Sequence, residues 1–257
     1  MKFIDVLGGE LVKLVTHRAL MVTILISTVL TLCYCIIDSG PPSSLGLSTP
    51  ETAGVYAMAN FSFIAAIVGV LIASSEYEGG QIGSSVLAVP RRGRIVTAKL
   101  LVSALVSTLL GLVLAVAIAT IYQVPLGDQS VYATGAASTL IVSLALAICS
   151  WTAIGVLSTC VALIIRSQTT VLAAMVLLTF GGTPLMIAHP FFQYLPMNAG
   201  VLMFIDRETQ TADWIHPPDV EVPIAALTLV LWSVGAIIAA SVVFARRDIG
   251  ARQATVE

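Results

Sequence analysis

The sequence predicts an all-α polytopic membrane protein: six transmembrane helices preceded by an amphipathic interfacial helix, with both termini cytoplasmic. Three observations carry this. Of 257 residues, 58% are hydrophobic and 10% are charged, where soluble domains carry roughly 25% charged residues. Mean hydropathy is +1.00, and six stretches approach or exceed the about 20 apolar residues that cross a bilayer as a helix. The basic residues fall almost wholly on alternate inter-span segments.

Taking the elements in order, residues 2–18 are amphipathic. Phe3, Ile4, Leu7, Leu11, Leu14 and Val15 share one arc, with Asp5, Gly9, Glu10, Lys13, Thr16 and His17 opposite. Such a helix is expected to lie in the headgroup plane. Its polar run is too long for a leader and no small-x-small cleavage site follows, so the first span is expected to be retained. That span covers 19–37 and ends before Pro41-Pro42, which cannot continue a helix. The second covers 52–73. Residues 74–94 are too polar to cross. The third covers 95–122 and stops at the Pro125–Asp128 turn. The fourth, 132–165, is expected to be unbroken and, at ~1.5 Å per residue, longer than the apolar core. The fifth covers 169–186 and is expected to be broken near its outer end by Gly181, Gly182 and Pro184. Residues 187–221 form an extracytoplasmic segment, read as re-entrant or interfacial. The sixth span covers 222–244 and a tail follows over 245–257.

Orientation follows from the excess of Lys and Arg on cytoplasmic loops. With the N-terminus inside, Lys2, Lys13, Arg18, Arg91, Arg92, Arg94, Lys99, Arg166, Arg246, Arg247 and Arg252 are cytoplasmic and only Arg207 is outside. Tyr34, Tyr56, Tyr122, Tyr132, Tyr194 and Trp214 lie near the outer ends, as an aromatic belt requires.

Several chemistries are disfavoured. The centres of the spans lack Asp, Glu, Lys, Arg and His, residues that mark proton and ion paths in membranes. No zinc-ligand spacing, phosphate-binding glycine loop or Gly-x-Ser-x-Gly nucleophile turn is present. Cys33, Cys35, Cys149 and Cys160 lie in apolar stretches and read as small packing residues. A net charge of −2 gives no nucleic-acid footprint. What remains is a bundle without catalytic, metal or cofactor residues of its own. If it transports, a partner supplies the energy or transport is passive.

Two patterns stand out. In the 74–94 loop, Ser75-Glu76-Tyr77-Glu78 is followed by Gly79-Gly80. Gln81–Val89 then reads as a short surface helix, apolar through Ile82, Val86, Leu87 and Val89, before Pro90 and the basic run Arg91-Arg92-Gly93-Arg94. It is either a helix that plugs into a cytosolic partner or a positive-inside loop with an interfacial turn. In the fourth span, Gly135, Thr139, Ser143, Ala147, Gly155 and Thr159 recur every four residues, interrupted by Trp151. Small residues so spaced let helices approach closely, within the bundle or between copies.

The pattern resembles the type-two permease subunits of bacterial ATP-binding-cassette exporters. The resemblance rests on Glu10-Leu-Val-Lys13-Leu with Arg18, on Ser75–Ile82 continuing to Leu87–Arg94 and Lys99, and on the last span closing at Arg246-Arg247-Asp248. It extends over nearly the whole chain; Gln81-Ile82 stands where family members often have Thr-Ile. It implies a bacterial cell-membrane subunit that pairs with a second copy or related permease and docks on cytosolic ATPase subunits, which hold ATP and Mg. It further implies that Glu76, Tyr77 and Gln81–Val89, including Ile82, Val86 and Leu87, contact the ATPase, with Arg91, Arg92 and Arg94 as anchors. The rival readings are a membrane anchor or immunity-type subunit, a membrane enzyme and a secondary transporter. An apolar interior favours an amphipathic or lipidic cargo.

Overall fold

A computed structural model describes residues 3–39, 54–78, 92–135, 137–205 and 219–246; for Ser75, Glu76, Glu78, Arg92 and Thr183 it describes the backbone alone. Ten α-helices are described: α1 (Phe3–Thr16), α2 (Arg18–Asp38), α3 (Val55–Asn60), α4 (Phe63–Glu78), α5 (Arg92–Gln123), α6 (Val131–Thr134), α7 (Ala137–Ile165), α8 (Gln168–Ala188), α9 (Pro196–Leu202) and α10 (Val222–Arg246). Two 3-10 helices, Val124–Gln129 and Pro190–Tyr194, join them, and no strand occurs among the described residues. Five stretches are long and apolar enough to cross a membrane: Arg18–Asp38, Val55–Ser74, Gly93–Gln129, Ala137–Ile165 and Val222–Arg246. The apolar part of α8, Gln168–Gly182, is shorter. This is a membrane-embedded helical protein.

The centre is α7, which packs on α4, α5, α8, α9 and α10. Its buried face carries Ala147, Trp151, Ile154, Gly155, Thr159 and Leu163. The α3–α4 stretch is the most enclosed span, 67% buried, whereas α2 and α10 are 17% buried and form the periphery. Outward residues such as Leu25, Leu30, Leu231 and Ile238 are apolar and exposed, as contact with lipid rather than water requires.

Three expectations change. The second span is not one helix: Phe61-Ser62 separates α3 from α4. Ser62 N donates to Ala59 O, one residue short of the α-helical pattern, and Met58 O accepts from Trp151 Nε1 at 3.0 Å instead. The fourth span is not continuous either. Gly135 adopts φ 77 at the C-cap of α6, a left-handed conformation that glycine tolerates best. What remains is α7, 29 residues and about 44 Å long.

The break expected at Gly181, Gly182 and Pro184 does not interrupt the fifth span, because α8 runs from Gln168 to Ala188 with Pro184 inside it. Asn198 of α9 donates to Gly182 O at 2.9 Å. A Cβ on Gly182 would stand 2.6 Å from Asn198 Oδ1. The glycine therefore serves close approach of α9 to α8 rather than a helix end. Beyond α8, the chain continues as the 3-10 turn and the almost wholly buried α9.

Among the described residues, Lys13, Arg18, Arg92, Arg94, Lys99, Arg166 and Arg246 all gather at the end where α4, α7 and α10 finish and α5 and α8 begin. Asp38, Asp128, Asp219 and Glu221 lie at the other.

Candidate functional site

The basic end holds the most unusual side-chain chemistry in the bundle. Lys99, two turns into α5, is 1% exposed, and its Nζ donates to Glu10 Oε2 at 2.8 Å. Lys13 donates to the other carboxylate oxygen, Oε1, at 2.7 Å. One carboxylate thus bridges two ammonium groups. Burial alone raises the Glu10 carboxyl, but the Lys99 ammonium and the hydrogen bonds from Lys13 and Lys99 override it and hold the group below its ordinary value.

This arrangement corrects the expected pose of α1. Glu10 does not face away from the apolar arc into solvent; it is buried beside Val6. The helix is turned by roughly a quarter-turn from its apolar arc, so that Val6 and Glu10 meet α5 while Ile4 and Val15 remain exposed. The reason is electrostatic. A lysine enclosed near the start of a span needs a counter-charge, and α1 supplies it in preference to presenting its full apolar face.

A second contact lies at the same end. Arg166 and Ser167 link α7 to α8, and Arg166 does so at φ 60, a strained conformation for a side-chain-bearing residue. Its guanidinium stands 5.8 Å from the Tyr77 ring centroid on α4, within cation–π range. Ser74 Oγ adds a 2.9 Å contact to Gln168 Oε1. The end of α4 is thereby tied to the α7–α8 link, and the start of α5 to α1.

Of the residues assigned to partner contact, Tyr77 is half-buried in this cluster and Arg94 stands on the first turn of α5. Glu76 lies on α4 and Arg92 opens α5, each described by backbone only. Gln81, Ile82, Val86, Leu87 and Arg91 lie outside the described residues.

The small-residue stripe divides in two. Gly135 and Thr139 are exposed and Ser143 is half-buried, whereas Ala147, Gly155 and Thr159 are buried. A Cβ on Gly69 would collide with the Gly155 carbonyl oxygen, so α4 and α7 cross backbone to backbone. Thr159 Oγ1 seals the crossing, 2.9 Å from Gly69 O and 2.8 Å from Ser103 Oγ. Thr108 and Thr152 meet at 2.8 Å on the α5–α7 contact. The Glu10–Lys99 pair went unnoticed in the sequence; of the crossing, Gly155 and Thr159 were singled out as close-packing residues, but their partner Gly69 was not. The signal for the first was a lysine seven residues inside a helix of the apolar third span. No protein-family model matches the chain, and no curated protein matches it.

Proposed function

We propose that the chain is the permease subunit of an ATP-binding-cassette exporter, with six spans and both termini on the cytoplasmic side of a bacterial cell membrane. It pairs with a second permease and is driven through residues 74–94 by a separate cytosolic ATPase that binds ATP and Mg. The observation that supports this best is the Glu10–Lys99 ion pair. It fastens α1 to α5, the helix that starts where the 79–91 segment ends.

A push on that segment reaches α4 through Glu78 and α5 through Arg92. The ion pair carries α5's movement to α1 and so to α2, which follows after the single residue His17. The Arg166–Tyr77 contact carries α4's movement to the α7–α8 link. Because α4 and α7 touch at Gly69 and Gly155 with no side chain between them, they move as a block. A bundle tied this way converts a cytosolic push into a rigid-body tilt. The gathering of Lys and Arg at this end supports its placement in the cytoplasm.

The test is mass spectrometry of the mildly solubilised complex, with vanadate-sensitive ATP hydrolysis measured on the same material. Two permease chains with two ATPase chains are expected. In reconstituted complex, Glu76→Lys is expected to abolish substrate-stimulated hydrolysis while leaving the chain in the membrane. Recovery of the chain with a partner that hydrolyses no nucleotide favours the anchor reading instead.

A further inference from the structure

A cavity of about 690 Å³ opens on the flank of the bundle, between α8 and α10. Both helices pack on α7 and α9 rather than closely on each other, which leaves a wedge with α7 as its floor. Leu157 and Val161 of α7 form that floor, Met175 and Leu178 of α8 one wall, and the Tyr194–Pro196 turn the roof. The α10 wall is lined by Thr228, Leu231 and Trp232 towards the roof and by the small residues Gly235, Ala236 and Ala239 beyond them. A Cβ added at Gly235 would meet nothing within 4 Å, so this glycine borders open space.

The lining holds no Asp, Glu, Lys, Arg or His. Thr228 Oγ1 is spent on Ile224 O at 2.8 Å, and Trp232 Nε1 on Tyr194 O at 2.9 Å. Water needs two to four polar partners to stay in a cavity, and these walls offer it few. The volume is that of a ligand site, ~300–1,000 Å³, too large to remain a void. Its rim is continuous with exposed apolar residues of the outer surface, Phe191 and Leu231, so the medium that reaches it in a membrane is hydrocarbon. A helix of a second copy, about 10 Å across, would use up this volume in under ~2 turns. A single extended hydrocarbon chain fits without that limit.

We propose that this cavity is a binding site for one acyl chain of a membrane lipid, entering laterally between α8 and α10. The proposal is independent of the transport reading. The Trp232–Tyr194 bond holds the roof turn against α10 and so keeps the wedge open. Burying methylenes there is favourable relative to water but gains little relative to bulk lipid. Retention therefore comes from shape, and filling the wedge is expected to end it.

The experiment uses the full chain in phosphatidylethanolamine–phosphatidylglycerol vesicles. The probe is a trace of phosphatidylcholine with a diazirine midway along one acyl chain, and labelled residues are mapped by mass spectrometry. Labelling is expected to be enriched at Met175, Leu178 and Trp232 over Leu25 and Val29 on the outer face of α2. In Gly235→Leu that enrichment is expected to vanish while α2 labelling is unchanged. The substitution also raises helix propensity, and the wild-type ratio stands without it. Equal labelling of cavity and α2 face would overturn the proposal, as would enrichment that survives in Gly235→Leu. Disulfide-linked dimers of Gly235→Cys would overturn it too, by placing a second copy in the wedge.

Discussion

Lys99 and Glu10 stand 89 positions apart in sequence and 2.8 Å apart in space, and the pair decides how the N-terminal helix sits on the bundle. Removing Glu10 takes the carboxylate away from the buried Lys99 ammonium, a loss of about 3–5 kcal/mol when fully enclosed, whereas removing Lys99 leaves Glu10 its bond from Lys13 and should cost less. Lys99→Ala and Glu10→Ala are each expected to lower the melting temperature in detergent. The double variant Glu10→Leu/Lys99→Met is expected to recover most of the loss, because no orphaned charge remains. Additive losses in that cycle would show that the two residues act separately.

The depressed Glu10 carboxyl sets a pH window. Its folded-state value lies below the unfolded one, so in acid the unfolded chain takes up the proton first and stability falls with falling pH. The contribution is complete above the ordinary carboxylate range, near ~4.3, and disappears as pH drops through the folded value. Limited proteolysis between α1 and α2 is expected to accelerate only in that acidic range. In Glu10→Gln the acid step should be absent; a step of unchanged size there would assign it to another group.

Glycines in the span helices are expected to respond differently to alanine. Gly69→Ala drives a methyl into the Gly155 carbonyl oxygen, a backbone atom that cannot rotate away. Overpacking of this kind costs about 1–3 kcal/mol or more. Gly155→Ala meets the Ser107 side chain, which can turn, and should cost less. Gly111→Ala places its methyl at 3.7 Å from Ile148 and Trp151, an ordinary contact, and is expected to be neutral or stabilising. Chemical denaturation in mixed micelles ranks the three; Gly111→Ala proving worst would contradict the packing described.

Asn198 ties α9 to two backbone carbonyls, Gly182 O at 2.9 Å and Phe192 O at 2.8 Å. Asn198→Leu removes both bonds, each worth about 0.5–1.5 kcal/mol, while Phe192 O still accepts from Leu195 N. Amide exchange over 189–202 is expected to quicken, while exchange in α4 and α7 stays slow. Protection of 189–202 that does not change would mean the segment is held by its apolar contacts alone.

How far the residues alone disclose this protein depends on the range of the interaction. Apolar runs pointed to the five long apolar helices, because a membrane segment declares itself by composition over about 20 positions. The turn at Pro125–Asp128 was legible in the same way, from local backbone chemistry. The break at Phe61-Ser62 was not. It carries no glycine or proline, and Trp151, from a helix 93 positions away, supplies the hydrogen bond that satisfies it. The Gly-Gly-Thr-Pro run misled for the mirror-image reason: its local signature signals a break, but Asn198 supports the helix from outside.

The sequence by itself determined that this is a helical membrane protein, roughly where its long apolar helices run, and that the basic residues among those described collect at one end. Those properties come from sums over neighbouring residues. The tertiary structure alone decided that Glu10 faces inward to Lys99, that Gly69 and Gly155 let α4 and α7 touch, and that a wedge stays open beside Gly235. Each is a contact between distant segments, and its energy depends on fit across the contact. No local pattern encodes that fit.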